Sequence, residues 1–130
     1  IAKAFMASGL SELIGEALSA VAAWPLFLLI GTLCLAVTFL TEITSNTATT
    51  TLLMPILAAA ATAAGLDPLT MMVPAAISAS CAFMLPVATA PNAIVFGTGD
   101  VSVSQMARHG VVLNLLGVGI ITSMIYIFWI

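Results

Sequence analysis

The chain has 130 residues, of which 62% are hydrophobic and 5% charged, with a net charge of −3 and a mean hydropathy of +1.27. Soluble domains carry about 25% charged residues, so this composition cannot clothe a water-exposed surface. A total of 2 Lys and Arg residues excludes a nucleic-acid-binding face. Segments of helical length without sustained apolar/polar alternation favour an all-α integral membrane protein over a β-barrel. The chain opens at Ile1 with no basic n-region and holds few spans for a transporter or channel. It is therefore expected to be the C-terminal part of a larger polypeptide. Cys34 and Cys81 sit in apolar runs and read as small buried residues, not as a disulfide or a metal site.

Residues 1–20 are expected to form an interfacial arm helix. Leu10, Leu13, Ile14, Ala17 and Leu18 fall on one helical face and Glu12, Glu16 and Ser19 on the other. Residues 21–64 read as a re-entrant hairpin. Its first leg is apolar and begins near Trp24-Pro25, and its second is Ala-rich and suited to close helix packing. Between the legs lies a hydroxyl- and amide-rich island over residues 41–51, Thr-Glu-Ile-Thr-Ser-Asn-Thr-Ala-Thr-Thr-Thr, with no Lys, Arg, Gly or Pro. Water-exposed turns usually contain such residues. Polar groups at membrane depth are costly unless buried in protein or lining a wet cavity. The island is thus read as the hairpin tip, although leg length alone does not separate a hairpin from two full spans.

Gly65-Leu66-Asp67-Pro68 is a helix stop followed by a start, with Gly65 at C′, Asp67 at the N-cap and Pro68 at N1. Residues 65–100 then read as a discontinuous transmembrane helix. Its first half is expected to run from Pro68 to about Leu85, with an interruption over residues 86–93 (Pro-Val-Ala-Thr-Ala-Pro-Asn-Ala). Residues 101–109 are expected to form a short interfacial helix, with Ser102 or Ser104 as cap. Residues 110–130 read as the terminal transmembrane helix, with Gly117 and Gly119 as packing positions. His109 reads as an interfacial neighbour of Arg108 and not as a metal ligand. Arg108 is the one basic residue in an inter-helical connection, which places it in the cytoplasm and the C-terminus outside. Lys3, outside on this arrangement, opposes it.

Both interruptions combine a Thr hydroxyl with an Asn amide, and each stands just before a new helix. A helix N-terminus carries roughly +0.5 charge and several unpaired N–H groups. Two of them aimed at one point can hold a carboxylate without Arg or Lys. Carbonyls at the ends of the preceding half-helices, with Thr and Asn oxygens, suit a hard cation such as Na+. An anion site lacking fixed positive charge should be weak without its cation, so cation–anion coupling follows from the composition.

The stretch from Thr41 to Thr50, followed by Met-Leu-Pro-Val-Ala-Thr-Ala-Pro-Asn-Ala-Ile-Val-Phe-Gly from Met84 to Gly97, resembles the divalent anion:Na+ symporter family, the INDY-like dicarboxylate transporters. The resemblance covers nearly the whole chain and corresponds to the C-terminal inverted repeat only. It implies that Ser45, Asn46, Thr47, Thr89 and Ala90 line the substrate site. It also implies a Na+ site from Thr41, Thr44, Asn46 and Ala88, mostly through main-chain oxygens, so that a changed Thr44 side chain matters little. The family often has Pro where this chain has Ala90, which bears on substrate choice. The implied protein is a homodimer in the cell (inner) membrane. It takes up dicarboxylates such as succinate by Na+-coupled symport with elevator-type alternating access, and its N-terminal half supplies the rest of each site.

Dicarboxylate exchange and transport of sulfate or another divalent anion would use similar tips. A structural membrane subunit explains the apolar helices but not two polar interruptions of similar composition. The Gly97-Thr98-Gly99-Asp100 pattern also matches intramembrane aspartyl proteases. Such an enzyme needs two carboxyls sharing a proton, and Asp67, the other Asp, is expected on the opposite membrane face. The chain is therefore read as a transporter and not as an enzyme.

Overall fold

A computed structural model describes residues 24–128. The expected arm helix over residues 1–20 lies outside them. The described residues form five helices and no strand: α1 (Leu26–Thr41), α2 (Asn46–Ala63), α3 (Pro68–Ser78), α4 (Ala90–Gly97) and α5 (Val103–Phe128).

Residues 42–45 join α1 to α2. Leu29 and Val37 of α1, Leu57 and Ala61 of α2, and Met71 and Ala75 of α3 share one buried cluster. A second cluster joins Ile30 and Cys34 of α1 to Ile121 and Ile125 of α5. α3 packs against α2, α1 and α5, and α1 packs against α3 and α5 with a lighter contact to α2. Its 16 residues make about 24 Å of helix at 1.5 Å per residue. α5, with 26 residues, is the one described helix long and apolar enough to cross a membrane by length and composition.

The α2–α3 turn follows the chemistry of its residues. Gly65 has φ +71, and the N–H groups of Gly65 and Leu66 donate to the carbonyls of Thr62 and Ala61 at 3.1 and 2.9 Å. That is a Schellman closure, which needs a left-handed residue at Gly65. Asp67 then caps α3 by accepting from the Leu69 N–H at 2.8 Å, with Pro68 as the first helical residue.

Three expected boundaries move. α3 ends at Ser78 and does not run on to about Leu85. The interruption therefore spans residues 79–89, beginning earlier than the expected 86–93, and α4 starts at Ala90 with Pro91 second. The expected short helix over residues 101–109 and the span from residue 110 are one continuous helix. Its start is a capping box: the Gln105 N–H donates to Ser102 Oγ at 3.2 Å, and the Ser102 N–H donates to Gln105 Oε1 at 2.9 Å. Among the described residues, a Cβ at Gly117 would meet only Cys81 Sγ at 3.8 Å and one at Gly119 nothing within 4 Å, so the close approach does not occur at the expected packing positions. Close approach occurs at Gly110, where a Cβ would lie 2.3 Å from the Phe83 carbonyl oxygen.

Candidate functional site

The interruption after α3 is built by side chains that take over helical hydrogen bonds. In an unbroken helix the Phe83 N–H would bond to the Ala79 carbonyl. Instead Thr41, the last residue of α1, donates its hydroxyl to the Ala79 carbonyl at 2.8 Å. Glu42, the next residue, accepts the Phe83 and Met84 N–H groups on Oε1 at 2.8 and 3.0 Å and the Leu85 N–H on Oε2 at 3.1 Å. Pro86 has no N–H, and a proline ring clashes with the carbonyl four residues back, here that of Ala82. That carbonyl accepts the Asn92 Nδ2 at 2.9 Å, and the same amide reaches the Leu85 carbonyl at 3.0 Å. The interruption is therefore an ordered segment with partners on both sides of its backbone.

Glu42 is 4% exposed. Its fourth donor is Asn114 Nδ2 of α5, at 2.7 Å on Oε1. Of the four N–H donors, three converge on Oε1 and one on Oε2. The carboxylate is thus held by main-chain and amide N–H groups, with no Lys or Arg among its partners. One helical turn before Asn114, Gly110 lets the backbone of Phe83 and Met84 lie directly on α5.

The hairpin tip is braced from within. Thr41 Oγ1 also reaches Asn46 Oδ1, and its single proton satisfies one acceptor at a time. Thr44 Oγ1 donates to the Leu40 carbonyl at 2.8 Å and pairs with the buried Thr49 hydroxyl at 2.6 Å. Ser45 holds the N-cap position of α2, yet its hydroxyl makes no cap bond. The first-turn N–H groups of α2 and the Ser45 hydroxyl are consequently left for another partner. Thr89 caps α4 by accepting from the Asn92 N–H at 3.3 Å.

One open cavity of about 490 Å³ lies between the two helix starts, lined by residues 42–47 and 87–90. It brings together all five residues expected at the substrate site: Ser45, Asn46, Thr47, Thr89 and Ala90. Of the expected Na+ set, Thr44, Asn46 and Ala88 line it, whereas Thr41 stands behind the wall on the Ala79 carbonyl. The Thr44 hydroxyl is committed to bracing the tip, which leaves its main-chain oxygen as the available ligand. The Glu42 oxygens aside, its donors are hydroxyls, an amide and main-chain groups, with no Cys or His, a set suited to a hard cation and a carboxylate.

Sequence reasoning missed Glu42, Asn114, Gly110 and Thr49. A carboxylate at the border between an apolar helix and a polar island at membrane depth is itself a signal that a partner must be sought. Asn114, the one amide within the long apolar run of α5, was that partner. Asp67 and Asp100 both lie exposed in helix connections, and neither lines the cavity.

The described residues are thus apolar and helical, with an interrupted helix facing a polar tip, and α5 is long and apolar enough to cross a membrane. The chain belongs to the family described as the sodium:sulfate symporter transmembrane region, whose profile matches residues 1–130. It is 47% identical over 126 residues to a sodium-dependent dicarboxylate transporter, SdcS, of Staphylococcus saprophyticus, an alignment covering 97% of this chain and 24% of that protein. It is 52% identical over 122 residues to solute carrier family 13 member 2 of Rattus norvegicus, covering 94% of this chain and 21% of that protein. The chain thus spans between a fifth and a quarter of the length of these relatives.

Proposed function

We propose that this chain is the C-terminal part of a Na+-coupled symporter that takes up dicarboxylates such as succinate. One observation carries the reading: the starts of α2 and α4 line the same cavity, and no basic side chain lines it. A dicarboxylate held there relies on two helix N-termini, each worth roughly half a positive charge, and on the free Ser45 hydroxyl. A Na+ ion bound as co-substrate at the Thr44, Asn46 and Ala88 oxygens supplies the missing charge. Each cargo therefore raises the other's affinity, as linkage requires. The name of the Staphylococcus relative, a sodium-dependent dicarboxylate transporter, supports the same cargo pair.

The cavity is open on the described residues alone, and α4 has no buried residue. Its exposed Ile94, Val95 and Phe96 would pack against the N-terminal half, which supplies the matching tip. In this reading α1 and α2 are a re-entrant hairpin, α3 and α4 cross the membrane once, and α5 crosses it fully. Arg108 faces the cytoplasm. Tip and interruption travel together, elevator-fashion, within a homodimer in the cell membrane.

Uptake of labelled succinate into proteoliposomes of the complete transporter, with a Na+ gradient or with choline, tests this. Uptake is expected only with Na+. Equal uptake in both salts would leave exchange of one dicarboxylate for another, and uptake of sulfate alone would reassign the cargo.

A further inference from the structure

Glu42 is the one buried carboxylate among the described residues, and its oxygens are engaged by main-chain and amide N–H groups. Asn114 lies outside the cavity lining and is fully buried. Its Nδ2 bonds Glu42, while its Oδ1 finds no partner among the described residues. The buried amide makes one of the four hydrogen bonds open to it among the described residues, and that one is to a carboxylate, the stronger kind. That bond closes a path from the end of α1, through the interrupted segment, to α5.

We propose that Glu42 and Asn114 are a pair of positioning residues for transport. Together they clamp residues 83–85, and so set where Thr89 and the start of α4 stand relative to Ser45 and Asn46. The carboxylate draws the three N–H groups toward α1. The Asn114 amide fixes the carboxylate's rotamer from the far side, and the bare backbone at Gly110 gives the segment a seat on α5. When the clamp is released, the two tips still exist but face each other in a smaller share of molecules. Apparent affinity for both cargoes then falls in proportion to that share. The maximal rate survives, because saturating cargo pulls the population back.

The pair's role rests on the transport reading above, and the test separates the two. Succinate uptake by the complete transporter is measured against Na+ concentration for the parent, Glu42→Gln, Asn114→Leu and Asn114→Ser. Glu42→Gln exchanges an accepting oxygen for a donating nitrogen among donors. Asn114→Leu removes the amide far from the cavity and leaves the three main-chain bonds in place. Both are expected to raise the Na+ half-saturation at least about fivefold, with maximal uptake per purified transporter retained within about twofold. A merely structural role would lower yield and thermal stability with the Na+ half-saturation unmoved. A direct cation ligand at Glu42 would leave both Asn114 variants like the parent. Either result overturns the proposal, and the Asn114 variants decide it if Glu42→Gln does not fold. A parent without Na+-dependent uptake removes the transport reading itself.

Discussion

The Thr41 hydroxyl donates to the Ala79 carbonyl at 2.8 Å, which is the carbonyl the Phe83 N–H would bond in a continuous helix. With Glu42 holding that N–H, the last residue of α1 and its successor occupy the two halves of one missing helical bond. Thr41→Val keeps the shape and deletes the donor, leaving a buried carbonyl unpaired. It is expected to destabilise the protein by about 1–3 kcal/mol. Thermal unfolding in detergent with and without Na+ reads this out, and an unchanged melting temperature would contradict it.

Gly110 and Gly117 make opposite predictions. A Cβ at Gly110 would lie 2.3 Å from the Phe83 carbonyl oxygen, against 3.8 Å from Cys81 Sγ at Gly117. Gly110→Ala must displace backbone and is expected to cost about 1–3 kcal/mol. Gly117→Ala meets ordinary contact and removes a helix-interior glycine, a gain of up to about 1 kcal/mol. Equal melting temperatures for the two variants would show that the interrupted segment does not rest on α5.

Ser45 stands at the N-cap of α2 without a cap bond. A serine that caps costs about 0.5–2 kcal/mol when replaced by Ala. Ser45→Ala is expected to cost far less in stability while weakening succinate affinity. Asn46→Ala is expected to abolish uptake with folding retained. A stability loss at Ser45 with unaltered succinate affinity would return that hydroxyl to a structural role.

Asp67 supplies the reverse control. Its carboxylate accepts from the Leu69 N–H at 2.8 Å and does not line the cavity. Asp67→Ala should lower stability by about 1 kcal/mol and leave the Na+ and succinate dependence of uptake as in the parent. Lost uptake in correctly folded protein would give Asp67 a task that its position does not suggest.

Much of the layout is legible in the residues. The Gly65-Leu66-Asp67-Pro68 stop and start, a tip within residues 41–51 and a second interruption before α4 follow from turn chemistry and from polar residues set in apolar runs, although the connection itself narrows to residues 42–45 and Asn46 to Thr51 are already helical. The early end of α3 was not legible. Met71 to Leu85 contains nothing locally hostile to helix beyond Pro74, and the helix stops because Thr41 and Glu42, 38 and 41 positions away, capture its bonds. The continuity of α5 through His109-Gly110 was missed for a related reason. Gly110, where the terminal span is expected to begin, is a seat for backbone from another segment, and sequence periodicity carries no trace of that contact. Gly117 and Gly119 read as packing positions, yet among the described residues Gly117 meets only ordinary contact and Gly119 none.

The most direct test is calorimetric titration of succinate into the complete transporter, first in saturating Na+ and then in choline. If two helix N-termini without a basic residue hold the dicarboxylate, binding should be readily measured in Na+ and weakened at least about tenfold in choline, a coupling of about 1.4 kcal/mol. The same affinity in both salts would mean that the anion finds its positive charge elsewhere, and that the cavity between Ser45 and Thr89 is not where the two cargoes meet.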